Sequence, residues 1–266
     1  VPFAKKQPIS MKPIQSMRLL CFALLFVSAC ISCKKETEEL TVEPLSDYQP
    51  TQTGKYIIYQ LDSTVFTNFG TVTSVRSYQE KQEVDAEFTD NEGRKAYRIF
   101  RSLRAADGTG PWAPAGTFAV IPQRNTVEVV ENNLRFVKLA SPVKPEGTWK
   151  GNRFLPEEPY TTSFAFSNDD NMADWDYTYT NTGETINLNG QAINDVITVE
   201  HINESANAPV VQPGAYGFIN YSIAQYAKGI GLVYEELTMW EYQPNPGGSS
   251  GYRTGFGVKR SMIEHN

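Results

Sequence analysis

The chain has 266 residues, of which 40% are apolar and 20% charged, and its formal charge is −6. That is enough for one well-buried domain or two, and the apolar fraction excludes a disordered chain. Three cysteines exclude a disulfide-dense scaffold, and the pI of about 5.1 argues against a general nucleic-acid binder.

Charge and cysteine are unevenly placed. Residues 1–32 hold Lys5, Lys6, Lys12 and Arg18 and no acidic residue, so residues 33–266 carry 20 basic against 30 acidic residues, a charge of −10. Cys21, Cys30 and Cys33 all lie in this leading part, which leaves the rest without disulfide or thiol chemistry. Leu19 to Ala29 is an apolar run of about 11 residues, shorter than the roughly 20 a membrane span needs. Placed after Arg18, it has the form of a signal-peptide apolar core. Residues 1–32 are therefore expected to be a signal peptide with an upstream extension, starting functionally at Met17 or Met11.

The segment Val27-Ser28-Ala29-Cys30-Ile31-Ser32-Cys33-Lys34-Lys35-Glu36 resembles the lipobox of bacterial lipoprotein precursors. Two cysteines compete. Cys30 has Val27 and Ala29 at the family's usual small and aliphatic positions; Cys33 has Ser32 before it and Lys-Lys-Glu after it. Ser-Cys-Lys-Lys followed by acids is similar to many Gram-negative surface lipoproteins, which favours Cys33 as the lipidated residue. The resemblance implies cleavage and acylation there, and each buried CH₂ adds about 0.8 kcal/mol of membrane affinity. No aspartate follows either cysteine, which in that family implies the outer membrane, and lysine followed by acids resembles a surface-export signal. The expected location is the outer membrane, lipid-anchored, on its periplasmic or surface face. Residues 33–53 then form the anchor and a flexible tether, about 65 Å long if stretched and about 25 Å on average.

From residue 54 to 266 the pattern has period two, with turn signals at short intervals. Tyr56 to Leu61 is a strand, ended or interrupted by Asn68-Phe69-Gly70. Val84, Ala86 and Phe88 alternate with acids, Asp90 to Gly93 is a turn, and Arg94 to Arg104 returns. A regular register would set Ala86 against Tyr97, Val84 against Ile99 and Asp85 against Arg98. Short strands follow at Phe118–Ile121, Val127–Val130 and Leu134–Leu139, separated by Arg124-Asn125 and Asn132-Asn133. Beyond Trp149, the residues Trp175, Tyr177 and Tyr179 share one strand face, and Asn181-Thr182-Gly183 breaks the run. Val196–Ile202, Tyr216–Tyr226, Leu232–Tyr242 and Tyr252–Met262 complete about ten to twelve strands. No helical stripe of 12 residues occurs outside the leader. The fold class is all-β: an antiparallel meander forming a strongly curved sheet, barrel-like or sandwich, in one domain. Two subdomains divided near 142–159 are the alternative.

Candidate chemistry is sparse. Gly247-Gly248-Ser249-Ser250-Gly251 matches the nucleophile-elbow spacing but lies between strands, where it reads as a hairpin loop. His201 reads as an isolated strand histidine and the penultimate His265 as frayed. Asn168 to Asp176 offers hard oxygen ligands suited to Ca²⁺, without an EF-hand's glycine and glutamate, and reads as a solvated loop. The aromatics from Tyr216 to Phe256 read mainly as core. No metal-binding, P-loop or dinucleotide-binding motif is present, so no catalytic, cofactor or metal residue is expected. The stretch Tyr226 to Glu236, together with Asn132–Lys138 and Gly147–Asn152, is similar to uncharacterised Gram-negative lipoproteins, a resemblance that implies architecture and location but no activity. Three functions follow as expectations: a non-enzymatic binding or structural lipoprotein of the envelope, with a small apolar ligand or an envelope protein as partner; a carrier of an apolar ligand in a β-cavity; or a carboxylate-based hydrolase. The membrane is a partner through the anchor, and nucleic acid is not.

Overall fold

The computed structural model describes residues 43–245, 247 and 251–266. Cys30, Cys33 and the whole leader lie outside these residues, as does Ser249. The alternating pattern is realised as twelve strands: β1 (Tyr56–Thr67), β2 (Val72–Thr89), β3 (Lys95–Ala105), β4 (Ala113–Pro122), β5 (Thr126–Glu131), β6 (Leu134–Ala140), β7 (Thr148–Lys150), β8 (Asp176–Leu188), β9 (Gln191–Ala206), β10 (Gly217–Ala227), β11 (Gly231–Gln243) and β12 (Tyr252–His265). All belong to one antiparallel sheet in the order β6-β5-β4-β3-β2-β1-β12-β11-β10-β9-β8-β7, which curls into a nearly closed barrel. The described body forms one unit, with no division near 142–159. Among the described residues no helix is long and apolar enough to cross a membrane.

The sheet order is the chain order cut between β6 and β7 and joined between β12 and β1. The seam therefore lies mid-chain, and the strands nearest the two ends of the body are hydrogen-bonded neighbours along Ile57–Thr64. At the seam, a few bonds replace a ladder. The Val137 N–H donates to Gly151 O (2.7 Å), the Trp149 indole donates to Val137 O (2.8 Å), and the Tyr179 hydroxyl donates to Ala140 O (2.7 Å). Gly151 is required there, because a Cβ would fall within the Tyr177 ring.

Several local details differ from the period-two reading. Val84 does face Ile99, but Asp85 is the extra residue of a bulge, so Arg98 stands opposite Ala86, and Tyr97 opposite Glu87. The Asp85–Arg98 ion pair forms from within that bulge. The polar stretch 72–83 is strand, paired with β1 along its length. β8 runs through Asn181-Thr182-Gly183, which appears as irregularities in its register with β9. The end of the chain is not frayed. His265 pairs with Ile57, and the Asn266 side chain accepts from Tyr56 N–H (2.7 Å) and donates to Gly54 O (3.0 Å).

Both mouths of the barrel are covered. At the mouth bearing the C-terminus, residues 43–53 are packed on the body rather than standing off it as tether. A short 3₁₀ turn, Leu45–Asp47, buries Leu45 and Tyr48 in the core. Asp47 O accepts from Gly229 N–H, and Lys228 pairs with Glu43 at 2.9 Å. Gly229 and Gly231 both have positive φ, which lets the β10–β11 hairpin turn tightly under this segment. At the other mouth, the excursion between β7 and β8 turns inward. Phe164 stacks on Phe256 (4.9 Å between centroids) and Tyr160 meets the same ring edge-on (5.3 Å).

Candidate functional site

The run from Asn168 to Asp176 belongs to this inward excursion. Asn168 and Asp169 are buried, not solvated. Asn168 donates to Trp240 O (2.8 Å), Ser167 donates through N–H and hydroxyl to Glu241 (both 3.1 Å), and Asp169 accepts from Tyr160 N–H (2.7 Å). These contacts hold the excursion in the mouth, and Asp169 Oδ1 is buried with no hydrogen-bond partner among the described residues. Among the described residues no group of three or more His, Cys, Asp or Glu side chains could hold a metal ion.

Between the two covers, the interior retains a cavity of ≈ 270 Å³, partly open to solvent, reached by inward side chains of nearly every strand. That volume sits near the lower end of small-molecule pockets, roughly 300–1,000 Å³. Its wall is mostly apolar, with Ile99, Val120, Phe136, Tyr226, Leu237 and Phe256 typical of it. Of the aromatics dense near the C-terminus, only Tyr226 and Phe256 reach the cavity; Trp240 instead packs against Phe66 and Arg253. Besides Gln49, Lys55, Gln82 and Asn132, two polar patches interrupt this apolar wall.

The first patch is ionic. Glu80 (β2), Arg260 (β12) and Glu235 (β11) come from adjacent strand pairs, and Glu235 stands directly opposite Arg260 in the register. Arg260 Nε donates to Glu80 Oε1 (3.0 Å) and its Nη1 to Glu235 Oε2 (2.7 Å). Lys138 approaches the other Glu235 oxygen at 3.5 Å. Burial alone would raise the Glu235 pKa, but Lys138 and Arg260 outweigh it and hold that carboxyl below its ordinary range. Burial would lower the Arg260 pKa, and Glu80 and Glu235 reverse that as well. A neighbouring pair, Arg101 with Glu131 at 2.5 Å, is also matched one to one.

The second patch is His201 with Ser222. His201 is the extra residue of a bulge between β9 and β10, where Ser222 pairs with Ile202 and Ile223 with Glu200. Bulges re-aim side chains, and this one sets the imidazole on the cavity wall. Lys138 is likewise the extra residue of a bulge between β5 and β6. His201 is 2% exposed, stacks on Tyr177 (3.9 Å, 24° between planes), and shares a 2.7 Å hydrogen bond between Nδ1 and Ser222 Oγ. Its Nε2 has no hydrogen-bond partner among the described residues. Burial, reinforced by the charge of Lys138, pushes its pKa well below the ordinary value, so the ring is neutral.

His201 was visible in the sequence as a strand histidine; its partner Ser222 and the ionic patch were not. The available signal was parity. Val84 faces inward, so Gln82 and Glu80 do too, and Phe256 and Val258 carry Arg260 with them.

Fold and site thus define a meander β-barrel with a plugged, mainly apolar interior cavity. No protein-family profile matches the chain, and no curated protein matches it. Three solved structures align with it. A Bacteroides fragilis protein of YmcC-like fold, described as exported, covers 81% of this chain and 98% of its own at 12% identity and a TM-score of 0.34. A Vibrio parahaemolyticus domain described as an outer-membrane lipoprotein-sorting protein covers 80% and 85% at 14% identity and a TM-score of 0.18. A DUF1329 family protein from Desulfovibrio piger covers 82% and 88% at 12% identity and a TM-score of 0.18. All three TM-scores are low, and the architecture rests on the chain's own strand pairings.

Proposed function

We propose that this protein is an envelope lipoprotein, anchored through Cys33, whose barrel carries a small, mainly apolar ligand without transforming it. The observation that carries the reading is the cavity itself. Strands of all parts of the sheet, the N-terminal segment and the inward excursion enclose it, and its wall is mostly apolar. A barrel whose only task was structural would fill its interior with side chains. The hydrolase reading is weaker on the same geometry. Of the two carboxylates on the wall, Glu131 is paired with Arg101 and Glu235 with Arg260 and Lys138, and Glu235 is held ionised, the reverse of an acid poised to donate a proton. The location follows from the lipobox resemblance of residues 27–36.

The uncharged dye N-phenyl-1-naphthylamine tests the carrier. Its fluorescence is expected to rise on addition of the protein and to saturate at one dye per chain. Filling the cavity with Val129→Phe and Val258→Phe is expected to lower the affinity at least tenfold. Absence of saturation, or equal binding by the filled variant, overturns the reading. For the anchor, mass spectrometry of the mature N-terminus is expected to find acyl chains on Cys33; an unacylated terminus, or acylation of Cys30, rejects that assignment.

A further inference from the structure

His201 lines the mainly apolar cavity, and its buried Nε2 makes no hydrogen bond among the described residues. A buried polar atom without a partner costs about 1–3 kcal/mol, so native structures rarely keep one where nothing binds. The ring is fixed from two sides, by the Tyr177 stack and by the Nδ1–Ser222 hydrogen bond, and the bulge in β9 is what aims it. From these contacts we infer that His201 Nε2, supported by Ser222, is the head-group site of the cavity, and that the ligand is a neutral molecule with an apolar body and a hydroxyl. This rests on the carrier reading and adds the chemical class of the ligand.

Two arguments choose the hydroxyl. Ser222 can donate to Nδ1, which leaves Nε2 as an N–H donor, or accept from it, which leaves Nε2 as an acceptor. A hydroxyl satisfies either tautomer, whereas a carbonyl or ether satisfies one. The second argument is charge. The charges of the ionic patch already balance: Glu131, Lys138, Glu235 and Arg260 on the wall and Glu80 and Arg101 behind it each form an ion pair, and Lys55, also on the wall, donates to Asn266 O (3.0 Å). A carboxylate or ammonium head would bring an unmatched charge into a low-dielectric interior or compete with pairs already formed.

The test compares 1-octanol, octanoate and 1-chlorooctane by titration calorimetry on the unacylated full chain. Octanol is expected to bind about tenfold more tightly than chlorooctane, the worth of one buried hydrogen bond, and more tightly than octanoate. In His201→Phe, which keeps an aromatic ring on Tyr177, the preference for octanol over chlorooctane is expected to collapse. A second readout needs no substitution. The chain has two histidines, so ¹⁵N-histidine labelling gives two imidazoles, with the exposed His265 as internal reference. Octanol should move the Nε2 resonance of His201 and leave His265 in place. Tighter binding of octanoate, or an Nε2 signal unmoved by saturating octanol, overturns the head-group assignment and spares the carrier reading. Failure of all three compounds to bind overturns both.

Discussion

The two polar patches on the barrel's inner wall are built in opposite ways. The ionic patch is complete: Arg260 lies between Glu80 and Glu235, Lys138 supports the second, and each charge has a protein partner. The His201–Ser222 patch is incomplete, with one ring nitrogen used and the other idle. Both sit in the same apolar surroundings, so the difference is not one of solvent access. A buried charge that is already matched fastens strands together and has little left to offer a ligand, whereas a neutral group with a spare hydrogen-bonding position does.

This contrast sets the size and the pH window of what each patch contributes. Arg260→Leu removes the shared partner and leaves Glu80 buried without its arginine and Glu235 with Lys138 alone. We expect a loss of about 3–5 kcal/mol in urea denaturation, the usual cost of breaking a buried pair from one side. A loss below about 1 kcal/mol would mean that the patch is hydrated and does not fasten the wall. His201 contributes a smaller, pH-dependent effect. Its folded pKa lies well below the unfolded value of about 6.5, so the unfolded chain takes up a proton that the folded one refuses. Stability is therefore expected to fall as pH drops from about 6.5 toward the folded pKa, by up to ~1.4 kcal/mol per pH unit, and His201→Phe should remove that slope. Glu235 acts in a separate, lower window. Its pKa is depressed, so its contribution is intact above its ordinary pKa and is lost as pH falls through the folded value. The smallest change is expected from Lys138→Met, which relieves the charge acting on His201, raises its folded pKa and so moves the lower limit of the first window upward in pH, leaving its onset in place. An unchanged slope in His201→Phe would place the acid-sensitive group elsewhere.

The architecture was readable where hydrophobic alternation and turn residues coincide. Asn132-Asn133 and Lys228 to Gly231 turn where their composition says they should, and Trp175, Tyr177 and Tyr179 are buried together. Residues 72–83 escaped notice because both faces of that half of β2 are polar, one toward solvent and one toward the ionic patch. The bulges at Asp85, Lys138 and His201 left no mark either, since an extra residue shifts parity without changing composition. The ionic patch was hidden by sequence distance: Glu80 and Arg260 are 180 residues apart. Each by itself looks like an ordinary surface charge, and only the closing pair β1–β12 brings them together.

That closing pair also dictates a timetable. β1 is the first strand of the body to leave the ribosome and β12 the last, so one edge of β1 stays without its neighbour until synthesis of the body is complete. Apart from β7–β8, which the long excursion separates, the other neighbouring pairs can zip from a local turn, but this one must search across the whole domain, the kind of long-range closure that slows folding. Until then the open edge and the half-built apolar interior are exposed together, a state prone to aggregation. A shielding chaperone would therefore matter most in the interval before the last strand arrives.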